Sequence, residues 1–452
     1  MNFIKILFDL WRLKRNEKKT AREISSLQTK KLKRLLHYAY EHPSYYRNSF
    51  ERAGITVEMI DSTSLSAFPV MDKSVLMSQF EEIITVPNLT QEEFCGFDEK
   101  EAIDKKLFKD KYHIVHSSGS TGTPKYFVYD ESAWNSMLLG IVRGALWDMT
   151  MSKIIKFLIH GPRIVYIAAT DGRYGGSMAV GDGINGVGAK QVYLDINTPL
   201  DEWISTIKEF KPNMMIGYPS AVKILAELVE KGDLDLKLLR IVTCGEPLGA
   251  SLRKYIEGVF GSNVINFYGA SESLSIGVES SPKEGMRLFD DMNIIEMCDG
   301  VMYLTCLYNF AQPLIRYRLS DQLTLQAPNA ESRYPFTRSV GLIGRNEDIL
   351  WFQDGNGKQE FLHPLAVEGL CIEGLRDYQF RQISPDTFEM LAEVSNDLQE
   401  TVQSEVLQKM RDILRGKGLD YVQFYVKFVP EILPDPKTGK KRLILTDTEA
   451  VS

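Results

Sequence analysis

Met214-Met215-Ile216-Gly217-Tyr218-Pro219-Ser220-Ala221-Val222-Lys223-Ile224-Leu225-Ala226-Glu227-Leu228-Val229-Glu230-Lys231-Gly232 joins two patterns. Met214 to Ile216 is a short apolar run and reads as a strand. Val222, Leu225, Leu228 and Val229 recur at helical spacing, and Gly232 closes that helix. The same alternation continues on both sides. Ile164 to Ala168, Ile241 to Thr243 and Val264 to Phe267 are further strand candidates. Trp203, Ile207 and Phe210 form one helix face; Leu252, Tyr255, Ile256 and Val259 form another, closed by Gly261. Strand–helix–strand alternation argues an α/β fold with a largely parallel sheet covered by helices. Residues 21 to 60 read as helical, with Leu32, Leu35, Leu36 and Tyr40 on one face and Pro43 ending the pattern. A second region begins near Gly344, with strands over Ile349 to Phe352 and Val422 to Phe428 and a helix around Val402 to Leu414. It is expected to be a small α+β domain on a flexible connection. The expected division is 1–345, with 1–60 as its helical opening, and 346–452.

At 452 residues the chain exceeds what one core organises. Hydrophobic and charged fractions of 44% and 25% are ordinary for a globular protein, and a net charge of −7 gives no footprint for nucleic acid. Cys95, Cys244, Cys298, Cys306 and Cys371 are widely spaced and form no C-x-x-C, so neither a disulfide framework nor a zinc site is expected. A reducing cytoplasm fits that usage. The first twenty residues mix Phe3, Ile4, Leu7, Leu10 and Trp11 with Lys5, Asp9, Arg12, Lys14 and Arg15, which argues against a signal peptide. A basic amphipathic helix can make weak contact with a membrane surface; packing as an ordinary helix on the body is the preferred reading. No apolar run is long enough to span a bilayer.

Ser117-Ser118-Gly119-Ser120-Thr121-Gly122-Thr123-Pro124-Lys125 is the strongest local signal. Small residues let backbone N–H groups approach phosphates, hydroxyls can face them, and a lysine can neutralise charge. Pro124 before Lys125 and Tyr126 after it exclude a Walker A loop, and G-x-S-x-G is absent here. Tyr268-Gly269-Ala270-Ser271-Glu272 follows a strand candidate, where α/β sheets take ligands. Glu272 could hold Mg2+ there and Tyr268 could stack on a base; the alternative is a turn with a solvated glutamate. Gly245-Glu246-Pro247 follows the preceding strand in the same way. Arg316-Tyr317-Arg318-Leu319-Ser320-Asp321 sets a carboxylate after two arginines, fit for two ribose hydroxyls or for a surface salt bridge. Gly344-Arg345-Asn346-Glu347-Asp348 is turn-like, and Pro436-Lys437-Thr438-Gly439-Lys440-Lys441-Arg442 is a cationic loop.

Together, and in this order, these segments resemble the core motifs of the adenylate-forming superfamily of acyl-CoA ligases, adenylation domains and luciferases. Leu35-Leu36-His37-Tyr38-Ala39-Tyr40-Glu41-His42-Pro43-Ser44-Tyr45-Tyr46-Arg47 and Phe68-Pro69-Val70-Met71-Asp72-Lys73 are similar to the phenylacetate-CoA ligase branch. Leu319-Ser320 departs from that family's Thr-Gly, Glu347 from its hinge aspartate, and Lys125 is kept where the branch often lacks it.

The resemblance implies a large adenylate-forming domain of helix-covered mixed or parallel sheets and a small mobile C-terminal domain. It implies ATP, Mg2+ and coenzyme A, with a carboxylic acid activated as its acyl-AMP. Ser117 to Thr123 would cradle phosphates beside Lys125; Glu272 would hold Mg2+. Gly245, Glu246, Pro247, Tyr268 and Gly269 would frame the adenine, and Asp321 the ribose. Arg345 would reach ribose or phosphate, Glu347 would be the hinge, and Lys440 would bridge substrate carboxylate and α-phosphate. Trp134, Tyr218, Pro219, Ser220 and Ala221 would line the acid pocket, where the two aromatics suit an aryl acid. Transfer to an amine of a sugar or metabolite, a carrier protein or a protein side chain, or a non-catalytic nucleotide-binding scaffold, are the alternatives.

Overall fold

The chain opens on α1 (Phe3–Asn16) and α2 (Ala21–Glu41), followed by three shorter helices, α3 (Ser44–Arg52), α4 (Lys73–Ser78) and α5 (Phe80–Ile83). The structure, a computed structural model, describes residues 3–42, 44–86, 89–94, 97, 107–116, 125–168, 189–195, 198–329, 332–345, 350–353, 359–362, 370, 372–416, 418–433 and 443–445. A capping box starts α2: Thr20 accepts from the Glu23 backbone N–H, and the Glu23 carboxylate accepts from the Thr20 N–H at 2.8 Å. The helical stretch expected over 21–60 comprises α2, α3 and a 3-10 turn at Val57–Met59; α3 ends before Gly54, whose φ is +75°.

A hairpin of β1 (His113–His116) and β2 (Tyr126–Tyr129) precedes α6 (Glu131–Ala145) and α7 (Met151–Ile159). Then come β3 (Arg163–Ala168), β4 (Lys190–Asp195), α8 (Leu200–Phe210), β5 (Met214–Gly217), α9 (Pro219–Glu230), β6 (Arg240–Cys244), α10 (Ala250–Phe260) and β7 (Val264–Ala270). These five strands pair in parallel in the order β4-β3-β5-β6-β7. Apolar runs bury β3, β5, β6 and the first part of β7 on both faces, whereas the edge strand β4 is only partly buried. Gly261, in the left-handed region, ends α10.

After β7 the chain reverses. Only Ser271 and Glu272 separate it from β8 (Ser273–Glu279), too few residues for a parallel crossover, so β8 pairs antiparallel. Next come β9 (Met286–Leu288), β10 (Asn293–Cys298), β11 (Val301–Cys306), β12 (Tyr317–Leu319), β13 (Asp321–Gln326) and β14 (Arg338–Arg345). Among the described residues the main sheet has nine strands in the order β13-β14-β9-β8-β7-β6-β5-β3-β4, parallel at one end and antiparallel at the other. Strands β10, β11 and β12 make a separate sheet, joined at its edge by Met71.

A second core contains Leu350, Phe380, Phe388, Met390, Val406 and Ile444. It is built from the hairpin β15 (Leu350–Gln353) and β16 (Gln359–Leu362), then β17 (Leu375–Ser384), β18 (Thr387–Val394), α11 (Gln399–Gly416), β19 (Gln423–Phe428) and β20 (Ile444–Leu445). Its four-stranded sheet runs β19-β18-β17-β20, and α10 of the first core touches β17.

Candidate nucleotide site

Glu272 occupies the turn between β7 and β8, at the end of the parallel strands, and is 4% exposed. Lys125, immediately before β2, donates from Nζ to Glu272 Oε1 at 2.7 Å. Strand β2 is held against this turn by Tyr129, whose hydroxyl donates to the Ser271 carbonyl at 3.0 Å. Tyr317, at the start of β12, approaches too: its hydroxyl lies 3.4 Å from Lys125 Nζ. Burial, reinforced by the charges of Glu272 and Asp72, pushes the Tyr317 phenol far up, so it is neutral at physiological pH. Three elements therefore converge on one buried carboxylate, and the adjacent ammonium compensates its charge.

A second pairing stands on the same strand. Tyr268 donates from its hydroxyl to Asp321 Oδ2 at 2.7 Å. Burial first, then the charge and hydrogen bond of Asp321, hold this phenol far above its ordinary range, which makes it the donor. Asp321 opens β13 where the chain passes from the three-stranded sheet into the main one. Its partner across the ladder is Arg345, the last residue of β14, so the backbones of Asp321 and Arg345 face each other. Gly269 follows Tyr268 within β7, and a Cβ there would stand 2.5 Å from the Leu274 carbonyl oxygen.

A third group joins the ends of β5 and β6. Gly245 has φ +80°, and a Cβ there would lie 2.8 Å from the Tyr218 ring, so glycine is required. The Glu246 carboxylate accepts from the Ser220 backbone N–H at 3.0 Å and from its hydroxyl at 2.9 Å. It thereby caps the start of α9, where Pro219 sits in the first turn and Ala221 is buried. Tyr218, Pro219, Ser220 and Ala221 are thus tied to Gly245 and Glu246. Trp134 lies on α6, where its ring stacks on His113 at 4.2 Å and meets Tyr129 edge-on at 5.7 Å.

Ser117, Ser118, Gly119, Ser120, Thr121, Gly122, Thr123, Glu347 and Lys440 lie outside the described residues. On either side of the first seven, His116 pairs with Tyr126 in the β1–β2 hairpin, and Lys125 directly precedes β2. Sequence reasoning missed Tyr129, for which no local signal exists, and passed over Tyr317, which stands inside the Tyr317-to-Asp321 motif. The residues fit a magnesium ion that arrives with a nucleotide. Such an ion takes one or two carboxylates, with phosphate and water completing its shell, and Glu272 is a carboxylate that could serve. Among the described residues no three His, Cys, Asp or Glu gather into a metal site of their own.

The family model described as AMP-binding enzyme matches residues 61–288, just over half of the 452-residue chain. The chain belongs to the AMP-binding enzyme family. This AMP-binding enzyme is 26% identical over 381 residues to a phenylacetate-coenzyme A ligase of Aromatoleum evansii, across 78% of this chain and 76% of that protein. It is 24% identical to the phenylacetate-coenzyme A ligase of Thermus thermophilus, across 94% and 96% of the two chains. Its fold is that of 2-hydroxyisobutyryl-CoA ligase. The TM-score is 0.71, at 21% identity, to that ligase in its postadenylation state with R3-HIB-AMP, over 96% of this chain and 92% of that one. It is 0.58, at 21% identity and over 96% and 91%, to the same ligase with 2-HIB-AMP and CoA in its thioesterification state. The mixed sheets and helices expected from the sequence are therefore those of an adenylate-forming ligase.

Proposed function

We propose that this AMP-binding enzyme is an AMP-forming acid–thiol ligase that activates a carboxylic acid and passes it to coenzyme A. The observation that carries the reading is the pair of contacts Lys125–Glu272 and Tyr268–Asp321, set side by side at the end of β7 in an AMP-binding fold. In the first half-reaction a carboxylate oxygen attacks the α-phosphorus of ATP, and pyrophosphate leaves with the electron pair. In the second the CoA sulfur attacks the acyl carbon, AMP leaves, and the thiol proton passes to solvent. The obstacle in the first step is bringing an anion onto a polyanion, which fixed positive charge and preorganised donors relieve.

Each residue has a role in that scheme. Ser117 to Thr123 supply backbone and hydroxyl donors to the phosphates, and Lys125 adds a positive charge beside them. Glu272 would hold the magnesium ion, which when bound supplies charge neutralisation to the phosphates. Asp321, oriented by Tyr268, accepts from the ribose hydroxyls. Gly245, Glu246, Pro247 and Gly269 border the adenine, with Glu246 acting through the α9 cap it forms. Arg345 binds ribose or phosphate. The chain divides into 1–345 and 346–452 around Glu347 as hinge, and Lys440 bridges the substrate carboxylate and the α-phosphate during adenylation. Trp134 and the Tyr218-to-Ala221 turn border an acid pocket suited to an aryl acid, in keeping with the phenylacetate-coenzyme A ligases among its relatives. We place the enzyme in the cytoplasm, where ATP and CoA are supplied; among the described residues no helix is long and apolar enough to cross a membrane.

An amine acceptor is the second reading. It is favoured by 27% identity over 135 residues to an indoleacetate–lysine synthetase of Pseudomonas savastanoi, though over only 29% of this chain and 34% of that protein. One experiment separates the two. The enzyme is incubated with ATP, Mg2+ and a panel of aryl, fatty and hydroxy acids, with and without CoA, and products are followed by mass spectrometry. Repeated turnover of an aromatic acid only when CoA is present is expected. Stoichiometric acyl-AMP that CoA does not discharge, and that an amine does, would remove CoA as the acceptor.

A further inference from the structure

Helix α1 carries two apolar faces: one is buried on the body, and the other is exposed. Ile6 and Leu10 are buried against Leu139, Leu146, Ile154 and Leu158. Phe8 and Trp11 point the other way, 57% and 43% exposed, with Ile4 one turn before at 73%. Their spacing of i, i+4 and i+7 makes a continuous stripe along the helix. The Phe8 and Trp11 rings stack at 5.9 Å, and the Arg15 guanidinium lies 5.7 Å from the Trp11 ring. Helix α7, which touches α1, exposes Ile159 at 68% and Ile155 at 37%, flanked by the exposed Lys153 and Lys156.

The charge around this stripe is opposite to that of the whole molecule. Residues 1–37 contain eleven Lys and Arg against three Asp and Glu, a net of +8, in a chain whose net charge is −7. Arg22, Lys30, Lys33 and Arg34 continue the basic surface along α2, where they line an open groove. An exposed aromatic stripe bordered by cations is the pattern of a helix that lies in a lipid interface. Other occupants fit less well. A second copy meeting this face would set exposed Lys and Arg against Lys and Arg. A nucleic acid would engage the cations and leave Phe8, Trp11 and Ile159 without a partner.

We propose that α1 and α7 form a docking surface for a bilayer rich in anionic phospholipid. Phe8, Trp11 and Ile159 enter the interface, and Lys5, Arg12, Arg15, Lys153 and Lys156 meet the lipid phosphates. The helix lies on the surface, and its buried face stays on Leu139 and Ile154. Such docking delivers a ligase to acids or acceptors that partition into membranes.

The test is sedimentation of the whole protein with vesicles of phosphatidylcholine alone or with roughly a third phosphatidylglycerol, at low and high salt. Sedimentation with the anionic vesicles only, weakened by salt, is expected. The triple variant Ile4→Ser, Phe8→Ser, Trp11→Ser should bind on the order of tenfold less while its acid-dependent pyrophosphate release is unchanged. A measurement on the unaltered protein guards against misfolding of that variant: brominated lipid should quench part of the tryptophan fluorescence, because Trp11 is exposed whereas Trp134, Trp147 and Trp203 are buried. Absence of binding to anionic vesicles overturns the proposal. So does equal binding to neutral ones, or a stripe that instead proves to hold a dimer by ultracentrifugation.

Discussion

Arg143 meets Asp291 inside the larger core, whereas Lys223 meets Glu393 from one core to the other. The first pair is bidentate, at 2.7 and 3.0 Å, and neither side chain is exposed. Phe289 lies under the guanidinium at 4.1 Å; Asn16 donates to the same carboxylate at 2.8 Å, and Lys31 to the Asp291 carbonyl at 2.5 Å. It pins α1 and α2 to the body. The second pair joins α9 to β18, with Asp377 of β17 at 3.9 Å and Glu227 at 3.7 Å from the same ammonium. Burial opposes the charge on Lys223, but Asp377, Glu393 and Glu227 prevail and raise its pKa. Around it lie the Ser251 hydroxyl on the Leu370 carbonyl at 2.6 Å and Arg376 on Glu230 at 3.5 Å. The contrast is between hydrophobic and polar joining. Apolar surface and a fully enclosed pair hold the helices to the larger core, while hydrogen bonds and charges join the two cores.

Breaking the enclosed pair should cost most. Asp291→Ala leaves a buried guanidinium unmatched and should lower the stability of the larger core by about 3–5 kcal/mol in denaturant. Arg143→Met with Asp291→Leu should recover much of it. A loss below ~1 kcal/mol for the single variant would mean the pair is not what holds α1 and α2.

Its neighbour sharpens the comparison through pH. Burial pushes Asp290 up to about 6 from 3.8, against the backbone hydrogen bond from Thr337 and with help from Asp291. Burial also acts on Asp291, but Arg143, Lys31 and Asn16 overcome it and hold that carboxyl below 3.8. The two signs are opposite. Folded Asp290 binds its proton more tightly than the unfolded chain does, so its contribution is full below pH 3.8 and falls as pH rises to about 6. Asp291 contributes above the unfolded value and is lost only as pH falls below it. Asp290→Asn should therefore raise stability at pH 7 by on the order of 2 kcal/mol and flatten the pH profile between about 4 and 6. An unchanged profile would show that Asp290 is not the titrating group.

Opening the pair between the lobes should cost stability, as for the enclosed pair, and should also change the balance of the two half-reactions. Lys223→Met should shift the ratio of thioester formation from supplied acyl-adenylate to adenylation by about tenfold, equivalent to ~1.4 kcal/mol. Rapid-mixing assays of each half-reaction would check it. Equal change in both steps would make Lys223 a structural residue only.

Four of the five parallel strands, β3, β5, β6 and β7, were legible because each is an apolar run next to a helix pattern, as in Met214 to Gly232; edge strand β4, which carries Lys190, Gln191 and Asp195, was not. The antiparallel half of the main sheet was not, because β9 and β14 pair residues some fifty positions apart and neither strand is uniformly apolar. The hairpin β17–β18 was missed for a related reason. Asp377, Gln379, Glu389 and Glu393 are buried in it, so its polarity reads as surface. Their partners, among them Arg381 for Glu389 and Lys223 for Glu393, are supplied by tertiary structure. At the site, residue types were readable from the motifs and pairings were not: nothing local ties Lys125 to Glu272 or Tyr268 to Asp321.

Adenylation itself is tested most directly by exchange of labelled pyrophosphate into ATP. The enzyme should catalyse it with Mg2+ and a carboxylic acid, without CoA, because the first half-reaction is reversible and independent of the acceptor. AMP should accumulate once CoA is added, and Lys440→Ala should slow exchange by about 10²-fold. ADP and phosphate as the products with a turned-over acid, and no pyrophosphate exchange, would contradict the account.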